Sequence, residues 1–424
     1  MKYLILGASA AGLSAAETIR RQDHRGELTV VSGDHYIYSR CLLPDVLAGR
    51  RDAGAARFVP KDFMELRGIR WIGGVKAEKL WPGEKAVVTD TGEKFYYDKL
   101  LIATGASSFL PPVENIDRGR QVYGLRSLED VQAITEASGN CPGALVMGGG
   151  LVGVDTAAAL NEKGLAVAIV EAAGQMLPLQ LDRRAASRYE ELLKAHGIKI
   201  ITGAMVSSIL LDEGQNVTGA RLNDGRVVPC GLVVCAAGVR PNLSFLEGTA
   251  VEIGRGVRVN QYQETSLTDI YAAGDVCESL ETFTGQFSPT PIWPLAVRQG
   301  QVAGTNMAGG HRKMTNNFAY KNSMSFYGLN TISYGLPEAP DDSCETYIEE
   351  GMGSYKKIIV KNGCLRGAIF QGDITRAGVI GALIRENFPV KTPGCSLFDL
   401  SYAHFFSQRE DGQFFYDKTF STEF

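Results

Sequence analysis

The chain has no apolar run of membrane-spanning length, so no helical membrane protein is expected. It also has no long basic run: 43 Lys and Arg stand against 47 Asp and Glu, giving a formal net charge of -4 at pH 7. That balance argues against nucleic acid as the main partner. The eight cysteines, scattered from Cys41 to Cys395, form no C-x-x-C pair. Their scatter disfavours a disulfide framework and a structural zinc site, and it fits a reduced, cytoplasmic setting with no metal centre. Apolar residues are plentiful at 45%, and 424 residues exceed one ordinary core, so two or three domains are expected.

The first twelve residues, MKYLILGASAAG, set the frame. Residues 2–6 read as a buried parallel strand. A sharp turn at Gly7 then allows a helix to begin near Ala11, its unpaired N–H groups and positive dipole end facing a pyrophosphate. The fingerprint is imperfect, because Ser9 stands where glycine usually lets backbone approach phosphate. A lysine, an apolar stretch and small residues at 14–16 also imitate a secretory signal, although Gly7 and Gly12 interrupt its apolar core. A second strand over 27–31 ends near Asp34, at the distance of a ribose-binding acid; Asp34 reads equally as a turn residue. Residues 38–49, YSRCLLPDVLAG, read as a loop passing into a short helix. A small antiparallel excursion is expected over 87–97, then a buried strand over 99–103 that closes on Thr104-Gly105. Pro111-Pro112 mark a crossing into a new domain.

That domain opens as the first did. An apolar run over 143–147 leads into Gly148-Gly149-Gly150-Leu151-Val152-Gly153, a full G-x-G-x-x-G. A helical run follows, then a strand over 166–170 ending in Glu171, eighteen residues past Gly153. A carboxylate there accepts hydrogen bonds from a ribose 2'-OH and repels a 2'-phosphate, favouring NADH over NADPH; a purely structural strand-end role is the alternative. A charged helix over 182–196, a strand over 199–202 and a buried run over 232–237 return the chain through Gly238-Val239-Arg240-Pro241-Asn242. Tyr271-Ala272-Ala273-Gly274-Asp275 then sets a carboxylate just past a strand and a glycine, suited to a flavin's polyol chain.

Together GASAAG, LLIATGA, MGGGLVG and YAAGD, in that order, resemble the two-dinucleotide-fold flavoproteins, the pyridine nucleotide-disulfide oxidoreductases and their relatives, over about the first three quarters of the chain. The resemblance implies an α/β fold with two Rossmann-like dinucleotide-binding domains, for FAD and NAD, and a small C-terminal α+β domain. The FAD domain would comprise residues 1–112 and 240–310, the NAD domain 113–239, and an interface or dimerisation-type domain 311–424. Gly7, Ser9, Ala10, Ala11, Gly12, Asp34, Arg40, Thr104, Gly105, Gly274 and Asp275 would bind FAD. Leu295 and Ala296 would open a helix whose amides stabilise negative charge on the reduced flavin. Gly148, Gly150, Leu151, Val152, Gly153, Glu171 and Gly238 would bind NAD(H). Asp155 falls where many members carry a glutamate beside the nicotinamide.

The branch turns on residues 38–44, Tyr-Ser-Arg-Cys-Leu-Leu-Pro. No C-x-x-x-x-C pair surrounds Cys41, which excludes glutathione reductase chemistry. Cys41-Leu42-Leu43-Pro44 echoes the single cysteine of NADH oxidases and coenzyme A-disulfide reductases, where a thiolate attacks a disulfide or becomes a sulfenic acid. Tyr38, Arg40 and Leu43 match the Y-x-R-x-x-L of rubredoxin, ferredoxin and nitrite reductases. Residues 322–335 and 355–372, with a helix from about Ala377, resemble the small domain of the latter branch and tip the comparison towards it. Ala10, where NADH peroxidases carry histidine, speaks against peroxide chemistry. Cys41 thus reads as a catalytic candidate, or else as a small apolar residue near the flavin ring. Cys230 and Cys235 read as core, and His404 with the tail aromatics as a fastening or interface segment. The leading expectation is an FAD-dependent NADH oxidoreductase exchanging electrons with an iron-sulfur or rubredoxin-like protein, in either direction. It could act within a larger assembly such as a 2-oxoacid dehydrogenase, and oligomers are compatible with it. The rivals are a Cys41-dependent coenzyme A-disulfide or persulfide reductase or NADH oxidase, and a non-catalytic flavin-bearing interaction protein.

Overall fold

The run Lys2–Leu6 forms a strand because four of its five side chains are buried on both faces of a parallel sheet. The computed structural model describes residues 1–139, 141–390, 396–408, 410–411 and 413–416. Cys395 and the final eight residues lie outside them.

The chain divides into two units. The first comprises Met1–Pro111, Tyr123–Glu136 and Ala237–Ala319. Its sheet runs, in spatial order, Ile270–Ala272, Lys99–Ile102, Lys2–Leu6, Glu27–Ser32, Arg70–Gly73, all parallel. Lys2–Leu6 pairs on one side with the strand that follows it and on the other with one nearly a hundred residues later. That reversal is a topological switch point, and its crevice lies beyond the strands' carboxyl ends. The antiparallel excursion is a three-stranded sheet, Ala77–Trp81, Ala86–Thr89 and Lys94–Tyr96.

The helices Ala10–Gln22 and Trp293–Met307 pack backbone against backbone. A Cβ on Gly300 would lie 2.1 Å from the Ala11 carbonyl oxygen, and one on Gly304 would lie 2.6 Å from that of Ala15. Residues four apart share a helix face, so two glycines on one helix receive two alanines of the other. The middle of Trp293–Met307 is thereby held against the first two turns of Ala10–Gln22.

The second unit comprises Pro112–Val122, Ala137–Ala236 and Tyr320–Phe424. Lys199–Thr202, Val167–Glu171, Ala144–Met147 and Leu232–Cys235 lie side by side and parallel. The C-terminal part is an antiparallel sheet ordered Lys321–Phe326, Leu329–Gly335, Cys364–Gln371, Ser354–Lys361, Cys344–Gly351, with the helix Ala377–Arg385. The α/β reading with an α+β C-terminal domain therefore holds. Residues 123–136, which the sequence reading assigned to the NAD segment, cluster with the first unit. The reason is local: Arg126 and the helix start that follows it carry ligands for that unit's own side chains, as described below. Cys230 is buried as expected but sits just beyond the strand Val227–Pro229, while Cys235 ends Leu232–Cys235.

Gly300→Ala forces a methyl into the Ala11 backbone and should cost about 1–3 kcal/mol. Gly54→Ala, with nothing near its Cβ position, should stay within about 0.5 kcal/mol. Urea unfolding of both variants followed by circular dichroism checks the contrast.

Candidate active site

The turn after Lys2–Leu6 is built by geometry that no side chain permits. Gly7 adopts φ +113, and a Cβ on Gly12 would lie 1.9 Å from the Gly7 carbonyl oxygen. Ser9 is the N-cap of Ala10–Gln22, yet its hydroxyl makes no capping hydrogen bond. The first amides of that helix remain as donors for an anion. They face a cavity of about 920 Å³ that lies wholly within the first unit, inside the range of small-molecule and cofactor sites.

The walls gather residues distant in sequence. Gly7, Ser9, Ala10, Ala11, Asp34, Arg40, Cys41, Thr104, Gly105, Gly274, Asp275 and Ala296 all line the cavity. Gly12 acts behind the turn through its contact with Gly7. The Leu295 side chain is 1% exposed and packed into the core, while Trp293 and Ala296 of the same helical turn line the cavity. Pro294 occupies the helix's first turn, where its missing N–H costs nothing.

Asp34 is more than a turn residue. Its Oδ1 accepts from the Tyr38 hydroxyl at 2.7 Å and its Oδ2 from Arg40 Nη2 at 2.7 Å. Burial opposes the Arg40 charge, but the Asp34 carboxylate and Tyr38 outweigh it and raise the pKa of the guanidinium. Arg40 Nη1 continues to the Arg126 carbonyl at 2.7 Å. The Arg126 guanidinium in turn pairs with Asp275 and donates from Nε to the Ala106 carbonyl at 3.0 Å. Two ion pairs, Asp34–Arg40 and Arg126–Asp275, are thus joined along the cavity by the Arg126 carbonyl. Arg126 escaped the sequence reading, although a signal was present. Ser127 and Asp130 form a reciprocal capping pair: Ser127 Oγ accepts from Asp130 N at 3.1 Å, and Asp130 Oδ2 accepts from the amides of Ser127 at 2.9 Å and Arg126 at 2.7 Å. The helix start Ser-Leu-Glu-Asp was therefore readable, and it fixes the residue before it.

Cys41 lines the cavity and is exposed, so the cavity reaches solvent there. Trp293 also lines the cavity and packs edge-on against Phe58, ring centroids 4.9 Å apart. Asp45 pairs with Arg50 at 2.7 Å. By contrast Cys230, Cys235 and Cys277 are buried, and desolvation pushes each thiol up to about 12.

The second unit repeats the turn. Gly148 has φ +111, and a Cβ on Gly153 would lie 1.9 Å from the Gly148 carbonyl oxygen. Gly150 caps the helix Leu151–Glu162, with Leu151 and Val152 at its exposed first turn. The fold brings Glu171 onto this loop, where Oε2 accepts from Gly149 N at 2.6 Å and Oε1 from Ala173 N at 2.7 Å. Asp155 is half-buried and its charge contributes to the raised pKa of Tyr189, which desolvation chiefly pushes up to about 12. Gly238 belongs to the first unit, where its carbonyl accepts from Phe109 N at 2.9 Å. Among the described residues no His, Cys, Asp and Glu cluster could hold a metal, and no helix is long and apolar enough to cross a membrane.

Residues 1–300 match the family model for pyridine nucleotide-disulphide oxidoreductases, and residues 321–388 match that for the rubredoxin NAD+ reductase C-terminal domain. The chain belongs to the pyridine nucleotide-disulphide oxidoreductase family. It is an NAD(P)H-dependent oxidoreductase, so the reading as a non-catalytic binding protein falls away. It is 34% identical over 323 residues to the NADH oxidase of Methanocaldococcus jannaschii, covering 73% of this chain and 70% of that one. It is 32% identical over 387 residues to the NADH-dependent phenylglyoxylate dehydrogenase subunit epsilon of Aromatoleum evansii, covering 90% and 91%. Among solved structures, the NADH:rubredoxin oxidoreductase of Clostridium acetobutylicum superposes with a TM-score of 0.77 at 27% identity, covering 94% of this chain and 98% of that chain.

Iodoacetamide at pH 8 should alkylate Cys41 well before Cys230, Cys235 or Cys277, whose burial and raised pKa suppress the thiolate. Peptide mass spectrometry over a time course reads the order.

Proposed function

We propose that this chain binds FAD in the first unit's cavity and exchanges electrons between NAD(H) and an iron-sulfur or rubredoxin-like protein. The end-to-end likeness to a dehydrogenase subunit of nearly the same length carries this reading, and it favours service within a 2-oxoacid dehydrogenase type of assembly. The cavity fits the cofactor on its own terms: a glycine cradle admits phosphate to helix amides, and Asp275 offers a carboxylate for a polyol. A bound flavin supplies hydride exchange with the nicotinamide and release or uptake of single electrons.

The chain's own residues perform the rest. Gly7 and Gly12 bring backbone to the pyrophosphate, and the amides after Ser9 balance its charge. Arg126 orients Asp275, while Arg40 and Tyr38 orient Asp34. In the first turn of Trp293–Met307 the Leu295 and Ala296 amides donate to the Ile292 carbonyl at 3.1 and 3.0 Å, so this helix would act on negative charge at the cavity end through its dipole. In the second unit Gly148, Gly150 and Gly153 would cradle the pyrophosphate of NAD(H), and Glu171 would accept from the adenosine ribose. Each Glu171 oxygen retains acceptor capacity beyond the one amide it already holds.

A second reading is favoured by one observation, the exposure of Cys41 at the cavity mouth. Its thiolate would attack a coenzyme A disulfide or persulfide, expelling a thiol or hydrosulfide and leaving a disulfide on Cys41 that two electrons from NADH, passed through the flavin, return to the thiol. In an oxidase it would be oxidised by a peroxide to a sulfenic acid, with water released, and be reduced in the same way. Cys41→Ser is expected to leave NADH-driven reduction of a one-electron acceptor at the parental rate; a large loss in anaerobic stopped-flow would favour the thiol chemistry. For cofactor choice, Glu171→Gln removes the charge that repels a 2'-phosphate and keeps an acceptor for one of the two backbone amides, Gly149 N or Ala173 N. The ratio of kcat/KM for NADPH to that for NADH should rise on the order of tenfold. An unchanged ratio in steady-state assays would leave Glu171 a purely structural residue.

A further inference from the structure

The helix Trp293–Met307 carries a side chain that faces away from the cavity and touches no proposed ligand. Gln299 is fully buried. Its Oε1 accepts from Gly274 N at 2.8 Å and from the Cys277 thiol at 3.5 Å. Its Nε2 donates to Thr290 Oγ1 at 3.0 Å and to Asn317 Oδ1 at 3.4 Å. Asn317 passes the connection on, donating to Ser279 Oγ at 2.7 Å and to the Leu280 carbonyl at 3.0 Å. Every side chain in this group is buried, where an unmet polar group is costly and a complete network fixes a single arrangement.

What the network joins matters more than its size. Gly274 and Asp275 form the strap at the end of Ile270–Ala272, with Gly274 at φ +84 and its carbonyl closing a turn onto Cys277 N at 3.0 Å. Thr290 lies one residue before Pro291, which lines the cavity, and three before Trp293, where the helix begins. One amide therefore grips the Asp275 strap with its oxygen and the approach to the helix with its nitrogen. The adjacent Gly300 is pinned against the Ala11 backbone, so the helix cannot rotate to relax the grip.

We infer that Gln299 is a positioning residue for the cofactor, setting the Asp275 carboxylate and the first turn of Trp293–Met307 in register with each other. This rests on the reading of the cavity as an FAD site. Hydrophobic replacement leaves the Gly274 N–H unpaired and lets the strap move relative to the helix. The carboxylate then loses its fixed bearing on the polyol, although no group that would touch the ligand has been altered.

The test is FAD release from the holoenzyme, followed by free-flavin fluorescence after dilution, alongside urea unfolding in excess FAD. Gln299→Leu should release FAD about tenfold faster and unfold at lower urea. The double variant Gln299→Leu with Thr290→Val removes the orphaned hydroxyl as well. It should recover much of the urea midpoint yet still release FAD fast, because the Gly274 N–H stays unpaired. Recovery of both together would overturn the inference, since stability alone would then explain the loss. Release at the parental rate from Gln299→Leu would overturn it too. If that variant does not fold, Thr290→Val alone decides: roughly threefold faster release is expected, and parental release refutes the grip. A parental protein that takes up no FAD, even from excess, would sink the cavity reading and this inference with it.

Discussion

One steric contact is repeated in both units and the rest depends on it. At Gly12 and again at Gly153, the carbonyl oxygen of the glycine five residues earlier stands 1.9 Å from where a Cβ would be. The earlier glycine in each case adopts φ near +110, which a side chain resists. Only this pair of glycines lets a strand reverse directly into a helix whose free amides point back over the sheet edge. Without the close approach the helix start would swing away, and the cavity in the first unit would lose the free amides at that end.

In the first unit the constraint passes outward through small residues. Ala11 and Ala15, on the helix launched by that turn, receive Gly300 and Gly304 of the later helix. The later helix in turn holds the Gly274-Asp275 strap through Gln299. The far wall of the cavity is thus positioned from the first wall by backbone contact and one buried amide, with no charged group involved until the cavity is reached. There the opposite strategy applies: Asp34 pairs with Arg40 and Arg126 with Asp275, suited to the phosphate and hydroxyl groups of the proposed cofactor.

This division explains what could be read from the sequence. Apolar runs closing on glycine gave away both dinucleotide folds, because the contact that demands glycine is local and leaves a fixed spacing. The strand ends at Thr104-Gly105 and Gly274-Asp275 were legible for the same reason. For Arg126 only the helix start that fixes its backbone was legible; its role was not, since its partner Asp275 is 149 residues away. Leu295 and Ala296 could not be told apart either, because an apolar pair at a helix start does not disclose which member faces inward. Glu171 was placed correctly at the strand end, but its hold on Gly149 depends on a loop conformation that spacing does not encode.

The second unit shows a further way in which distant segments are fixed. Asp182 caps the helix Arg183–Ala195, accepting from Ala185 N at 2.8 Å, and also receives the Tyr355 hydroxyl and Lys357 Nζ at 3.0 Å. Lys357 is only 5% exposed and also meets Glu338 at 2.6 Å and the Pro337 carbonyl at 3.0 Å. Placing an ammonium there is unfavourable unless every one of its protons is met, and removing either partner of such a pair strands the other charge. An apolar contact would tolerate a slid or tilted sheet, whereas three directed bonds on one ammonium accept only one. The C-terminal sheet is therefore docked on its dinucleotide fold by specificity of direction as much as by burial. A helix cap that is already an aspartate supplies that fixed bearing with no further carboxylate.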